Sequence, residues 1–268
     1  SIEGAEQTRV PFPPRFPVSW TEAIAADQAG GLWVAALGGV ILHDNGGRFQ
    51  VVDQVEALRD TRVVAALGDR QGRLWLAYGN DRVGVWSGKG QFRSFGPQDG
   101  LGAGPYYSMI EDTSGRIWVG SGASLSRYDG TRFASVTRAN GLPPTGVLSL
   151  LEAKEGHLWL ASTVGVMRLS PSEFDHAISA PGTPMYFRLY DTSDGLAGFP
   201  AVIGGDRAAA RAADGLLWFI TSRGLSMVDP VALSTAYRAP KVGIDEIRAD
   251  DRVVSDRRLR PGTAKLEI

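Results

Sequence analysis

Apolar runs of a few residues, interrupted roughly every 8 to 12 positions by Gly, Asp, Asn or Ser, extend along almost the whole chain. That rhythm predicts short antiparallel strands joined by tight turns rather than helices. One phrase returns in register: AGGLWVA, QGRLWLA, SGRIWVG, EGHLWLA and DGLLWFI, centred on Trp33, Trp75, Trp118, Trp159 and Trp218. The Trp-to-Trp spacings are 42, 43, 41 and 59 residues. A period near 42 with Gly turns and β-branched or aromatic runs predicts an all-β fold, a β-propeller of four-stranded antiparallel blades. Five repeats are recognisable, and they form either a complete small ring or part of a larger one.

The third copy shows how one repeat makes four strands. Tyr107 to Glu111 is read as the innermost strand, Arg116 to Gly120 as the second, Leu125 to Tyr128 as the third and Arg132 to Thr137 as the outer one. Asp129-Gly130 reverses the chain between the last two, because Gly accepts the positive φ of a tight hairpin. Each in-register Trp buries about 150 to 250 Å², on the order of 4 to 6 kcal/mol of gross apolar burial, enough to hold one sheet against the next. Asp27, Asp69 and Asp112 stand six places before their Trp, where the fourth and fifth copies have Ala153 and Ala212. Asp99-Gly100-Leu101, Asn140-Gly141-Leu142 and Asp194-Gly195-Leu196 recur where an outer strand leads to the next inner one. The longer last gap is assigned to a loop insertion around Pro171 to Pro184, after which Tyr186 to Tyr190 resumes as an outer strand.

These residues resemble the two-component regulator propeller repeat of bacterial sensor proteins: Asp, then Gly-x-Leu-Trp-Val, then Gly-Leu or Gly-Val, interleaved with Asp-Gly-Leu. Ala208 to Pro230 is similar to the closing blade of such propellers, and Ala239 to Ile247 to the entry of the immunoglobulin-like "Y_Y_Y" domain that follows them. The expected organisation is an N-terminal segment or remnant outer strand over 1–19, propeller repeats over 20–238 and the truncated start of the immunoglobulin-like domain over 239–268. The resemblance implies a ligand-sensing, periplasmic or otherwise extracytoplasmic fragment of a two-component sensor. It also implies that the membrane helix and the kinase or other output module lie elsewhere, so no catalysis is expected of this piece.

Composition narrows the partners. The net charge of −1, from 28 basic and 29 acidic residues, provides no field for gathering nucleic acid. No apolar run is long enough to span a bilayer, no signal-peptide pattern opens the sequence, and zero Cys excludes disulfides and thiolate metal sites. His43, His157 and His176 lack metal-ligand spacing, so neither metal nor cofactor is expected; Gly102-Ala103-Gly104-Pro105 mimics half of a dinucleotide fingerprint without a helix behind it. His157 is read as an exposed turn residue.

A binding site in such a fold belongs on the loops around the channel mouth. Asn80, Asp81, Arg82, Tyr106, Tyr107, Thr163, Ser222 and Arg223 are therefore the candidate ligand-binding residues, rings for stacking and charged or hydroxyl groups for a polar small molecule or oligosaccharide. Trp20 and Trp86, outside the repeat register, are open to either packing or ligand contact. A homodimer through a propeller face or the C-terminal segment is a further expectation, since an open arc exposes sheet faces. Two other functions remain: a stand-alone propeller lyase or lactonase, and a protein-interaction platform.

Overall fold

The computed structural model describes residues 12–13, 21–44, 46–79, 81–180, 182–201, 208–236, 248–249, 252–253 and 265–267. The chain divides into two compact units, 1–230 and 231–268. In the first unit, β1 (Thr21–Ala26), β2 (Leu32–Ala36), β3 (Val40–Asp44) and β4 (Phe49–Gln54) form one antiparallel sheet in sequence order. The same order repeats in β5 (Val63–Gly68), β6 (Leu74–Tyr78), β7 (Arg82–Gly88) and β8 (Gln91–Phe95). It repeats again in β9 (Tyr106–Glu111), β10 (Ile117–Ser121), β11 (Ser124–Tyr128) and β12 (Phe133–Thr137). The fourth sheet is β13 (Ser149–Glu152), β14 (Leu158–Ser162), β15 (Gly165–Leu169) and β16 (Arg188–Tyr190). Among the described residues the fifth has three strands, β17 (Ala209–Arg211), β18 (Leu217–Thr221) and β19 (Gly224–Val228).

Consecutive inner strands β1, β5, β9, β13 and β17 lie next to one another, so the sheets radiate as propeller blades. The all-β expectation and the strand boundaries of the third repeat hold to within a residue or two. Around the junction of the units runs α2 (Pro230–Ala236). The second unit contains a small antiparallel sheet of β20 (Arg248–Ala249), β21 (Arg252–Val253) and β22 (Leu266–Glu267), with β20 central. Most of the expected N-terminal segment and immunoglobulin-like segment lies outside the described residues.

The recurring Asp-to-Trp spacing has a direct physical cause. Asp69 Oδ1 accepts hydrogen bonds from the Gln71 and Arg73 backbone amides at 3.0 and 2.9 Å, closing the turn between β5 and β6. Its Oδ2 accepts from Arg73 Nε at 2.6 Å and from the Trp75 indole at 2.8 Å. Asp112, Arg116 and Trp118 repeat this arrangement with the same four types of contact. One buried carboxylate thus fixes the turn, orients the ring and satisfies its only polar atom. In the first blade His43, stacked on Trp33 at 4.0 Å, takes the Oδ2 of Asp27 instead, and the Trp33 indole N–H has no partner. In the fourth, Ala153 supplies no acceptor, and the buried Trp159 indole N–H is likewise unpaired.

The Asp-Gly-Leu connections are 3-10 turns over Pro97–Asp99, Arg138–Asn140 and Thr192–Asp194. Each ends on a glycine in the left-handed region, Gly100, Gly141 and Gly195 at φ 84°, 93° and 99°, and drops the following Leu into the core. Along the rim opposite the channel mouth, Arg70 reaches the carbonyls of Asp112 and Thr113, Thr113 donates to Glu152, and Arg211 donates to the Glu152 carbonyl. Neighbouring blades are stitched edge to edge by these bonds.

Two expectations need correction. The insertion after β15 is not a plain loop: Pro171–Ile178 is a helix, α1. Ser170 caps it by accepting from the Ser172 amide, Pro171 sits at its first turn where a missing N–H costs nothing, and Phe174 and Ala177 bury its inner face. Phe174 meets the Trp118 ring edge-on at 4.8 Å, so the helix completes the core between the third and fourth blades. The other correction concerns the last repeat Trp. Trp75, Trp118 and Trp159 are fully buried and Trp33 is 7% exposed, but Trp218 is 36% exposed. Trp33, Trp75 and Trp118 share core clusters with residues of the following blade, whereas among the described residues no sheet follows the fifth.

Candidate functional site

The inner strands form the channel wall, and a cleft of about 850 Å³ opens there. Its walls are Thr21, Glu22, Ala23 and Ile24 of β1, Val64, Ala65 and Ala66 of β5, and Tyr107, Ser108 and Met109 of β9. Leu32, Val34, Phe49 and Phe12 close one side. Strand alternation produces this lining: Ala25 is buried in the sheet interface behind β1, whereas Ile24 beside it is exposed. The cleft is mainly apolar with a few polar groups, the composition of a small-molecule site.

Those polar groups differ in how far they are already engaged. Glu22 Oε2 accepts from the Val63 amide at 3.0 Å, which ties the first blade to the second and leaves Oε1 without a described partner. Ser108 Oγ accepts from the Leu150 amide at 3.1 Å. The Tyr107 hydroxyl has no partner among the described residues, and the side chain is half-buried. Glu22 and Tyr107 thus line a ligand-sized space, each with one oxygen without a partner among the described residues.

The residues expected to bind from the loops are only partly brought together. Tyr107 lines the cleft. Its neighbour Tyr106 points the other way, is 4% exposed, packs between the second and third blades and donates to the Gly102 carbonyl at 3.1 Å. Asp81 and Arg82, at the turn between β6 and β7, stand close to that phenol. Burial pushes the Tyr106 hydroxyl well above its ordinary pKa; the Asp81 charge adds to this and the Arg82 charge opposes it. Asp81 is the only non-glycine residue with positive φ among those described, at 55°. Arg82 lines a smaller hollow of about 300 Å³ with Thr61, Tyr78 and Ser94, and the Tyr78 and Ser94 hydroxyls are 2.6 Å apart. Thr163 is exposed and donates to Thr145 at 2.8 Å; Ser222 and Arg223 are exposed on the β18–β19 turn, where the Ser222 amide donates to the Phe199 carbonyl at 2.9 Å. Asn80 and Trp20 lie outside the described residues.

Inspection of loops alone missed Thr21, Glu22 and Ser108, because they sit on inner strands. The signal available in the sequence was the polar pair Thr21-Glu22 opening a strand otherwise made of Ala and Ile. Trp86 is a packing residue: its indole donates to Asp53 Oδ2 at 2.7 Å and its ring meets Trp33 edge-on at 5.3 Å. That hydrogen bond, followed by one from the Gly90 amide, holds the Asp53 carboxyl below its ordinary pKa. His157 is half-buried, not exposed, with Nδ1 3.4 Å from Arg168 Nη2; burial first, then the Arg168 charge, lowers its pKa.

A second crevice, about 610 Å³, collects Arg73, Arg116 and Arg127. Each guanidinium already has a carboxylate, from Asp69, Asp112 and Asp175 respectively, so the crevice carries no unbalanced positive charge. Among the described residues no three His, Cys, Asp or Glu side chains group as a metal site. No helix there is long and apolar enough to cross a membrane.

Radial four-stranded sheets, inner strands around a channel and a ligand-sized cleft on that channel define the class: a β-propeller-type domain. Within that class, residues 100–123 match the two-component regulator propeller repeat. Among solved structures, the chain is similar to the extracellular domain of BT3049 of B. thetaiotaomicron, assigned to a hybrid two-component system, with a TM-score of 0.50 and 17% identity over 90% of this chain and 38% of that one. The extracellular domain of BT4673 of the same organism, also assigned to a hybrid two-component system, gives 0.54 and 15% over 83% and 28%. A catalytically inactive virginiamycin B lyase of Staphylococcus aureus with quinupristin gives 0.54 and 15% over 78% and 70%. At such identities the likeness establishes the fold, and the chain spans well under half of the two sensor domains. No curated protein sequence matches the chain significantly.

Proposed function

We propose that this propeller is the ligand-sensing, extracytoplasmic part of a bacterial two-component sensor. It takes up a polar small molecule or oligosaccharide in the cleft between β1, β5 and β9, and transmits by rearrangement of domains without chemistry. The repeat match and the likeness to extracellular sensor domains support the setting. The observation that carries the binding role is the cleft itself, lined by Glu22, Tyr107, Ile24, Val64 and Met109, with Glu22 Oε1 and the Tyr107 hydroxyl without partners among the described residues. Such a lining suits a ligand with hydroxyl or ammonium donors on one edge and an apolar face on the other.

Thermal-shift screening against oligosaccharides and polar metabolites tests this. A ligand at one hundred times its Kd adds about 2.7 kcal/mol, a rise of roughly 5 to 10 °C for a domain of this size. Tyr107→Ala and Glu22→Gln should remove the shift, while Arg223→Ala on the β18–β19 turn, outside the cleft lining, should leave it. A shift that survives both cleft variants but disappears in Arg223→Ala or Arg82→Ala moves the site to the loops. A second reading, a propeller lyase, is favoured by the likeness to virginiamycin B lyase across 78% of the chain. Incubation with quinupristin, followed by chromatography, decides it: consumption of the compound by the purified protein replaces the sensing reading.

A further inference from the structure

The fourth blade keeps the β-turn of the second and third but lacks the carboxylate that fills it. In the third, the Asp112 amide donates to the Arg116 carbonyl and the Gly115 amide to the Asp112 carbonyl, both at 2.9 Å. In the fourth, the Ala153 amide donates to the His157 carbonyl at 3.0 Å and the Gly156 amide to the Ala153 carbonyl at 2.9 Å. Matching backbone bonds give Ala153 and Asp112 the same Cβ direction. A methyl group therefore stands where the sister blades carry a carboxylate.

The donors that bind that carboxylate have counterparts in the fourth blade. Trp159 is fully buried, and its indole N–H is unpartnered, whereas the Trp118 indole donates to Asp112 Oδ2. The Glu155 and His157 amides occupy the places of the Ser114 and Arg116 amides that bind Asp112 Oδ1, and have no acceptor among the described residues. The guanidinium comes from another strand. His157 stands where Arg116 stands, and Arg168, paired with Trp159 in the β14–β15 register, brings Nη2 to 3.4 Å from His157 Nδ1. Arg168 Nε is buried and unpartnered. Arg73, Arg116 and Arg127 each pair with an Asp, but among the described residues no carboxylate pairs with Arg168, and its partner on β16 is another cation, Arg188. Buried donors without acceptors destabilise, and a charged one does so more.

We infer that the turn between β13 and β14 is a binding site for a small planar oxyanion of the carboxylate type, formate being the smallest. One oxygen accepts from the Glu155 and His157 amides, the other from the Trp159 indole and Arg168, beside the Ala153 methyl. Four donor groups and one unbalanced guanidinium select an anion over a neutral molecule, and planar oxygens suit donors that approach from two sides. Lys154 and Glu155, exposed on the same turn, leave the site within reach of solvent. A free anion loses translational freedom that a tethered Asp does not, so a Kd on the order of millimolar is expected. The site is separate from the cleft between β1, β5 and β9, and its test is independent of that reading.

Amide and indole NMR of the isotope-labelled chain decides the matter, with sodium formate titrated against sodium chloride at equal ionic strength and the Trp159 indole signal identified through Trp159→Phe. Formate should move the Trp159 indole and the Glu155 and His157 amides along one saturating curve. The Trp75 and Trp118 indoles, already bonded to Asp69 and Asp112, should stay in place. Ala153→Asp should abolish the response, because the chain then supplies its own carboxylate. Absence of a saturable shift overturns the proposal, leaving water as the partner of these donors. An equal response to chloride, or one that persists in Ala153→Asp, would show a general salt effect and overturn it as well. So would an Ala153→Asp chain that fails to fold, since no carboxylate would then fit the turn.

Discussion

Replacing Asp112 by Ala is expected to cost about 3 to 5 kcal/mol, a large effect for the loss of three heavy atoms. The carboxylate is fully buried and accepts four hydrogen bonds, from the Ser114 and Arg116 amides, Arg116 Nε and the Trp118 indole. Its removal orphans a buried indole N–H, at about 1 to 3 kcal/mol, and opens a turn. Arg116, about 30% exposed, recovers water and contributes less. The fourth blade provides the converse experiment, because Ala153 leaves the Trp159 indole unpaired. Ala153→Asp should stabilise the protein by about 1 to 2 kcal/mol, and more in combination with His157→Arg, which restores the Asp-Arg-Trp set of the second and third blades. Denaturant unfolding followed by Trp fluorescence measures all three. Burial pushes the Asp112 carboxyl up, but the Trp118 and Arg116 hydrogen bonds and the Arg116 charge outweigh it and leave its pKa lowered. Its contribution is therefore complete above the unfolded value of about 3.9 and disappears as pH falls through the lower folded value. The difference between the unmodified protein and Asp112→Ala must shrink below about pH 4. A cost under about 1 kcal/mol at pH 7, or destabilisation by Ala153→Asp, refutes the account of the repeat.

Phe174→Ala removes the contact between α1 and Trp118 and should cost about 3 to 5 kcal/mol; a value near zero in the same unfolding assay would mean that the helix is an ornament on the fourth blade. His157, its charge disfavoured by burial and by Arg168, should titrate below its ordinary value of about 6.5, so its neutral form stabilises the fold above that pH and the benefit is lost as pH falls. Ring-proton NMR reads the midpoint, and a value above 6.5 contradicts the burial seen here.

Much of this protein was determined by local sequence. Asp six places before Trp, Gly between them and Asp-Gly-Leu in the connections each fix a turn or a cap through bonds within a few residues, so four-stranded repeats could be read without coordinates. The helix at Pro171–Ile178 was also encoded locally, by the Ser170 cap and Pro171, but its apolar face of Phe174 and Ala177 has meaning only against Trp118 and Met167. Tertiary structure alone decided which face of each strand is covered. Tyr106 and Tyr107 are adjacent in sequence, yet strand alternation sends one into the blade interface and the other into the cleft. Trp218 carries the same local signal as Trp118 but differs in exposure, because the neighbour that buries a repeat Trp belongs to the next sheet and cannot be seen from the Trp itself. The cleft was hidden for the same reason: Glu22, Val64 and Tyr107 are separated by about 42 residues each and meet only when three inner strands converge on the channel.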